Sequence, residues 1–110
     1  MHIKFTARRF RARPSIKTHA IATVKKLGRF YDGILTADII LSFEGAEKNI
    51  KVAEVNLRVY GVVLSAKQNS DDYIKCIDAV AEKLIIQLAK YKSKLRMKDK
   101  NKVRAIKEQI

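Results

Sequence analysis

The stretch "LTADIILSFEG" (residues 35–45) alternates apolar with other side chains, and "VAEVNLRVY" (residues 52–60) repeats the alternation after a short polar segment. A period of two is typical of a β-strand with one buried face. The residues predicted on that face are Leu35, Ala37, Ile39, Leu41 and Phe43 in the first stretch and Ala53, Val55, Leu57 and Val59 in the second. Because the joining segment "EGAEKN" (residues 44–49) is polar and contains glycine, we expect a hairpin.

Two further strands flank this hairpin. Gly61 permits a second tight reversal, after which "VVLSAK" (residues 62–67) predicts a short fourth strand. At the other end of the chain, "HIKFTARRF" (residues 2–10) also alternates, with Ile3, Phe5 and Ala7 on one face. The sequence therefore predicts four strands.

Helical periodicity occupies the remaining segments. Pro14 suits the first turn of a helix, and Ser70 predicts an N-cap for the last helix, with Asp71 and Asp72 in its first turn. Apolar residues then recur at spacings of three and four, which predicts one buried stripe per helix. These residues are Ile16, Ala20, Val24, Leu27 and Tyr31 in the first helix and Tyr73, Ile77, Ala81, Leu84, Leu88, Tyr91 and Leu95 in the last.

The order of elements predicts an α+β fold, β-α-β-β-β-α. The simplest arrangement is a four-stranded sheet with two helices packed on one face, since every strand and helix then buries its apolar side. The length of 110 residues fits one domain. We assign residues 1–96 to it and expect residues 97–110 to form a basic C-terminal tail, either a frayed helix end or disordered.

Positive charge is concentrated at the two ends of the chain. The net charge is +13, with nine basic and no acidic residues in 1–31 and nine basic against two acidic residues in 90–110. Residues 32–89 hold six basic and nine acidic residues. Charge that served only solubility would be interspersed in sign. This segregation instead favours a surface that meets a polyanion, in the first place nucleic acid.

The last helix carries a basic flank beside its apolar stripe. At ~100° per residue, Lys83, Gln87, Lys90 and Lys94 fall within about 60° of one another. Acidic residues that would pair with these lysines along the helix are nearly missing after Glu82. We interpret the flank as a candidate RNA-binding strip.

The first helix adds a second basic group. Lys25, Lys26 and Arg29 are predicted on its outward side, and Lys17 near the edge of the buried stripe. With both helices on one side of the sheet, we expect this group to share an outer surface with the flank of the last helix. Such a surface would read the shape of a folded RNA backbone more than its base sequence.

Residues suited to catalysis or metal binding are few. His2 and His19 are the only imidazoles, Cys76 is the only cysteine, and no phosphate-binding loop or nucleophile motif occurs. We therefore expect a protein that is not an enzyme, without metal, cofactor or small-molecule substrate, and Cys76 as a packing residue in a reducing cytosol. No apolar run reaches the ~18 to 20 residues that a bilayer requires, and the N-terminus does not have the pattern of a secretory signal.

Residues 71–95, "DDYIKCIDAVAEKLIIQLAKYKSKL", closely resemble the final-helix signature of the bacterial ribosome hibernation promoting factors, also called ribosome-associated inhibitors. The first helix is similar as well, and the residues that fit that family's helix ending are Lys26, Leu27, Phe30, Tyr31 and Asp32. The resemblance extends over residues 1 to about 96. The matching positions of the last helix are Asp72, Tyr73, Ile77, Asp78, Glu82, Lys83, Leu84, Gln87, Leu88, Lys90, Lys92, Lys94 and Leu95.

The resemblance implies both a fold and a function. The fold would be like that of the double-stranded-RNA-binding domain. The function would be cytoplasmic and ribosome-associated: binding to the small ribosomal subunit at the decoding region, overlap with the messenger and transfer RNA sites, and inhibition of translation in starved or stationary cells. The chain resembles the short form of the family, which lacks a second domain, and we expect a monomer off the ribosome. The resemblance gives contacts with ribosomal RNA to Lys17, Lys26, Lys83, Lys90 and Lys94, to which we add Lys25 and Arg29 as neighbours.

Alternatives remain open at this point. A general double-stranded-RNA-binding module would show the same basic helices. A membrane-surface protein would require Ile85 and Ile86 to extend the apolar stripe, although Ile86 is predicted to point away from it. The family often has arginine at the position of Ile86, so this side chain is either an idle exposed residue or a packing contact against the ribosome.

Overall fold

The structure, a computed structural model, describes residues 1–47 and 49–108, with side chains described as far as Arg96. Its elements confirm the predicted order. They are β1 (His2–Ala7), α1 (Pro14–Phe30), β2 (Thr36–Glu44), β3 (Ile50–Val59), β4 (Val62–Ser70) and α2 (Tyr73–Glu108). The expectation of a frayed or disordered tail at 97–110 lies outside the fully described residues and stays a prediction.

The four strands form one mixed sheet in the order β1-β2-β3-β4. β1 runs parallel to β2 because α1 carries the chain back to the starting end of the sheet, whereas the other two pairs are antiparallel neighbours. The register aligns Phe5, Ile39, Val55 and Ala66 across the sheet. These four side chains share the face that the helices cover.

Both helices pack on this face, as predicted. α1 lies beside α2 and against β1, while α2 lies over β3 and β4. The core between the layers is apolar and is closed by the stripes of the two helices. Its buried members include Ala20, Val24 and Leu27 of α1, Ile39, Leu41, Val55 and Leu57 of the sheet, and Ile77, Val80, Leu84 and Leu88 of α2.

The start of α2 corrects the predicted cap. Asp72, not Ser70, is the N-cap, because its Oδ1 accepts the Ile74 backbone N–H at 3.0 Å and the helix begins at Tyr73. Ser70 is still paired in the sheet with Lys51, and its hydroxyl accepts the Asp72 N–H at 3.0 Å. Continued pairing with β3 holds residue 70 in strand geometry and moves the helix start two residues onward.

Two details of the sheet also differ from the sequence prediction. Leu35 precedes β2 and is 55% exposed, whereas its neighbour Ile34 is buried. β4 extends to Ser70 instead of ending near Lys67, because it pairs along nearly the whole length of β3. Cys76 agrees with its predicted packing role, since it is fully buried and its Sγ donates to the Lys51 carbonyl oxygen at 3.3 Å.

Candidate nucleic-acid interface

The basic residues of α1 are all exposed, and they point away from its buried stripe. At ~100° per residue, Lys25, Lys26 and Arg29 lie about 100° to 160° from Val24 around the helix axis. Lys17 lies closer to the stripe, as predicted, with its Nζ 5.9 Å from the ring centroid of Phe5 on β1. This cation–π contact places Lys17 at the β1 margin of the helix layer.

The beginning of the α2 flank contacts β4. Lys83 Nζ donates to the Lys67 carbonyl oxygen at 3.1 Å and to Gln68 Oε1 at 2.6 Å, and Gln87 Nε2 donates to the Ser65 carbonyl oxygen at 2.8 Å. β4 is an edge strand, so its outward carbonyls would otherwise be free to pair with another chain. Lys83 and Gln87 therefore have a structural role that the sequence did not indicate.

The later lysines of the flank have no such role. Lys90 and Lys94 are exposed, and neither forms an ion pair with any carboxylate among the residues whose side chains are described. Exposed ammonium groups without an acidic partner remain available to an external anion. Of the predicted α2 residues, these two are thus the best placed to bind phosphate.

A different set of residues fills the interface between the two helices. His19 Nε2 of α1 lies 2.7 Å from Asp78 Oδ1 of α2. Further along, Lys92 Nζ donates to the Phe30 carbonyl oxygen at 3.0 Å and lies 5.9 Å from the Phe30 ring centroid. These contacts show which side of α2 faces α1.

The expected common outer surface of the two basic groups stays a prediction, but these contacts show where the α2 flank begins. Asp78 and Lys92 face α1, while Lys83 and Gln87 lie on the opposite side of α2, over β4. Lys83 and Gln87 thus lie at the β4 margin of the helix layer, whereas Lys17 lies at its β1 margin. Periodicity shows that a flank lies beside the buried stripe, but it does not show which flank receives the neighbouring helix.

The isoleucine pair behaves as predicted. Ile85 is half-buried and packs against the core, whereas Ile86 is 57% exposed. Because the two side chains do not form one apolar stripe, the requirement of the membrane-surface alternative is not met. No helix in the described part of the chain has an apolar segment long enough to cross a bilayer.

Among residues 1–47 and 49–96, the aromatic side chains are not arranged as a stacking row on the open face of the sheet. Tyr60 is 83% exposed but lies in the β3–β4 turn, where its carbonyl oxygen accepts the Tyr91 hydroxyl at 2.7 Å. The open face instead carries polar pairs such as Ser65 and Asn56, with Oγ to Oδ1 at 2.6 Å. The basic groups described above therefore remain the main candidates for nucleic-acid contact.

Other cationic residues were missed by the sequence analysis. Arg9, Arg11 and Arg13 of the loop between β1 and α1, together with Lys51 of β3, line a cavity at one end of the sheet. The arginine-rich run "RRFRAR" (residues 8–13) is the signal that could have found them. Among residues 1–47 and 49–96, no group of three or more His, Cys, Asp or Glu side chains is placed to hold a metal ion.

Comparison with known proteins gives consistent matches over nearly the whole described domain. Residues 3–96 match the family model described as Sigma 54 modulation protein / S30EA ribosomal protein. A ribosome hibernation promoting factor of Klebsiella oxytoca is 31% identical over 96 residues, covering 87% of this chain and 98% of that protein. One of Azotobacter vinelandii is 26% identical over 94 residues, covering 86% and 85%.

A solved structure shares the fold. The ribosomal subunit interface protein from Coxiella burnetii superimposes with a TM-score of 0.77 at 28% identity, covering 84% of this chain and 99% of that one. The matches extend over 98%, 85% and 99% of these three proteins' own lengths.

Proposed function

The chain belongs to the Sigma 54 modulation protein / S30EA ribosomal protein family, and from this membership we propose that it is a ribosome hibernation factor. In this proposal it binds the small ribosomal subunit at the decoding region, where it overlaps the messenger and transfer RNA sites and inhibits translation during starvation or stationary phase. It acts in the cytoplasm by occupancy, without catalysis, and is a monomer off the ribosome.

The observation that carries the proposal is the pair Lys90 and Lys94. Both are exposed on the flank of α2, and neither pairs with a carboxylate in the part of the chain with described side chains. In a protein of net charge +13, such ammonium groups favour contact with RNA phosphates. We propose that α1 adds phosphate contacts from Lys17, Lys25, Lys26 and Arg29. Lys83 would contribute its third N–H donor, since its two internal hydrogen bonds use the other two.

Occupancy requires a rigid body held in place by many modest contacts. The sheet and the packed helices supply the rigid body, and the lysines supply phosphate contacts whose strength depends on released counterions. Binding should therefore weaken steeply as salt rises, with the logarithm of the affinity falling by roughly 1 per decade of salt for each phosphate contact.

The test compares two double variants in co-sedimentation with purified small subunits. Lys90→Gln with Lys94→Gln should weaken binding at least about tenfold and reduce the salt slope by about 2. The matched control is Lys4→Gln with Lys67→Gln, which removes the same charge from the open face of the sheet. Equal binding by both variants and the native chain would refute the assignment of phosphate contacts to this flank. Equal weakening by both variants would show that binding depends on net charge and not on the position of the lysines.

A competition experiment separates hibernation from general RNA binding. Plain duplex RNA in excess should displace the protein poorly from small subunits, whereas transfer RNA bound with messenger should exclude it. Efficient displacement by any duplex of sufficient length would instead support the general double-stranded-RNA-binding module.

A further inference from the structure

A cavity of about 470 Å³ opens at the end of the sheet where β1 leads into α1 and α2 begins. Its size lies within the range of roughly 300 to 1,000 Å³ that is usual for small-ligand sites. The loop 8–13 forms one wall, and the first residue of α2, Tyr73, forms part of another. The cavity lies at the N-terminal ends of both helices, apart from Lys90 and Lys94.

Three aromatic rings form an ordered apolar surface in this cavity. Phe10 stacks on Tyr73 with ring centroids 5.1 Å apart and an interplanar angle of 6°, and it meets Phe43 edge-on at 6.0 Å and 67°. Tyr73 is fixed in turn, because its hydroxyl donates to the Ser42 carbonyl oxygen at 2.7 Å. Tyr73 is only 6% exposed, so the half-buried Phe10 ring is the accessible side of this stack. A fixed, flat ring of this kind is what a planar nucleobase stacks against.

Cationic side chains line the same cavity. Arg9, Arg11 and Arg13 come from the loop, and Lys51 places its Nζ 5.7 Å from the Tyr73 ring centroid. None of the three arginines forms an ion pair with a carboxylate among the residues with described side chains. Guanidinium groups in this position are able to bind a phosphate through two parallel hydrogen bonds and also to stack on a base.

Among the described residues, the carboxylate that lines the cavity has a structural role, and the nearby helix end favours an anion. Asp72 lines the wall, but its Oδ1 accepts the Ile74 N–H as the cap of α2. α1 begins beside the cavity without a side-chain cap at Arg13 and without an acidic residue in its first turn. The positive end of its dipole therefore adds to the attraction that the arginines exert.

The loop that presents the arginines is held in an uncommon conformation. Arg9 has a φ of 63°, in the left-handed region that non-glycine residues rarely adopt. Such a backbone persists where its surroundings determine it, and it is often found at binding sites. Here it allows Phe10 to turn inward between two arginines, Arg9 and Arg11, that remain exposed.

We propose that this cavity binds a nucleoside monophosphate unit with an unpaired base. The phosphate lies among Arg9, Arg11 and Arg13, and the base lies against the Phe10 ring, which Tyr73 supports from its other side. The unit comes either from an unpaired RNA nucleotide or from a free nucleotide, since both present the same phosphate and base. This site does not depend on the proposed binding of the helix lysines to the small ribosomal subunit. It can therefore be tested with the isolated protein.

The experiment is an NMR titration of the full chain with adenosine monophosphate, the single-stranded trinucleotide of adenosine, inorganic phosphate and adenosine. Saturable shifts of the Phe10 and Tyr73 ring resonances and of the loop amides are expected with adenosine monophosphate, with the trinucleotide, or with both. Binding of the monophosphate identifies a free nucleotide as a sufficient ligand, and binding of the trinucleotide alone identifies RNA. Phosphate or adenosine should bind at least about tenfold more weakly, because each satisfies half of the site.

Variants distinguish the cavity from general attraction to a positive protein. Arg11→Glu should weaken nucleotide binding at least about tenfold, whereas Arg8→Glu, the same change at an exposed arginine that does not line the cavity, should stay within about twofold. Circular dichroism checks that both variants are folded. Equal weakening by the two variants, equal binding of phosphate alone, shifts of the same size with a blunt RNA duplex, or no saturation with either nucleotide would overturn the proposal.

Discussion

Replacing Lys83 with methionine should separate the structural role of the α2 flank from its role in binding. Methionine retains an unbranched stem but removes the ammonium group that donates to the Lys67 carbonyl oxygen at 3.1 Å and to Gln68 Oε1 at 2.6 Å. A hydrogen bond contributes about 0.5 to 1.5 kcal/mol net to the free energy of unfolding. The lower end of this range applies to each of the two bonds, because Lys83 is exposed. We therefore expect a loss of about 1 kcal/mol in the free energy of unfolding.

The matched variant is Lys90→Met, which removes an ammonium group from the same flank. Lys90 forms no ion pair with a carboxylate in the part of the chain whose side chains are described. The free energy of unfolding of this variant should change by less than about 0.5 kcal/mol. Urea denaturation followed by far-ultraviolet circular dichroism measures both variants, with the slope against urea compared to confirm that the denatured state is unchanged. The midpoint temperature of thermal unfolding should be about 4 to 8 °C lower for Lys83→Met than for the native chain.

Binding to small subunits should show the reverse order. Lys90→Met loses a proposed phosphate contact completely, whereas the Lys83 ammonium has two of its three donors engaged internally. Lys83→Arg keeps a cationic donor, so it should retain most of the stability that Lys83→Met loses. If Lys83→Met is as stable as the native chain while Lys90→Met is destabilised, the division of roles along this flank is refuted.

Three further predictions concern the core, the tyrosine at the start of α2 and the exposed isoleucine. Leu88→Ala should destabilise the protein by about 2 to 5 kcal/mol in urea denaturation, because Leu88 is fully buried; a cost below 1 kcal/mol would contradict the packing described. Burial, and then the neighbouring Cys76, raises the pKa of Tyr73 above its ordinary value of about 10, so the folded state holds this proton more tightly than the unfolded state. The stability from this difference is fully present below about pH 10 and is lost as pH rises through the folded pKa; Tyr73→Phe should show a shallower alkaline decline, and an equal decline in both proteins would exclude Tyr73 as its source. Ile86→Arg should bind small subunits no more weakly than the native chain in co-sedimentation, since Ile86 is exposed; a marked loss would show that it packs against the ribosome.

Most of the fold could be predicted because each element has one apolar side. The alternation through Ala37, Ile39 and Leu41 and the stripe through Ile77, Leu84 and Leu88 both predicted side chains that the structure buries. These patterns are local, since burial on one face imposes a period of two on a strand and of 3.6 on a helix. The order of the elements then favoured a four-stranded sheet with both helices on one face, because this arrangement buries the apolar side of every element.

The start of α2 and the arrangement of the site depend on tertiary contacts, and local patterns did not predict them. Ser70 and Asp72 are both good N-cap residues, and pairing of Ser70 with β3 decides between them. Similarly, helical periodicity places Lys83 beside the buried stripe of α2, but it does not tell whether that side of the helix contacts α1 or β4. The arginines around Phe10 come together with Lys51 and Tyr73 only because β1 ends where β3 and α2 begin.

The lengths of α2 and β4 explain why one helical flank combines structural and free lysines. Along α2, Lys83 contacts residues 67 and 68, Gln87 contacts Ser65, and Tyr91 reaches Tyr60, which lies beyond the start of β4 at Val62. The helix therefore runs along the edge strand and passes its end after about two turns, since each turn advances 5.4 Å. Lys83 and Gln87, on this flank, donate hydrogen bonds to β4 carbonyl oxygens. Residues of the same flank further along α2 lie past the start of β4 and have no β4 residue beside them. A flank defined by angle alone thus contains two populations of side chains. Lys94, beyond the end of β4, belongs to the population that we propose binds RNA.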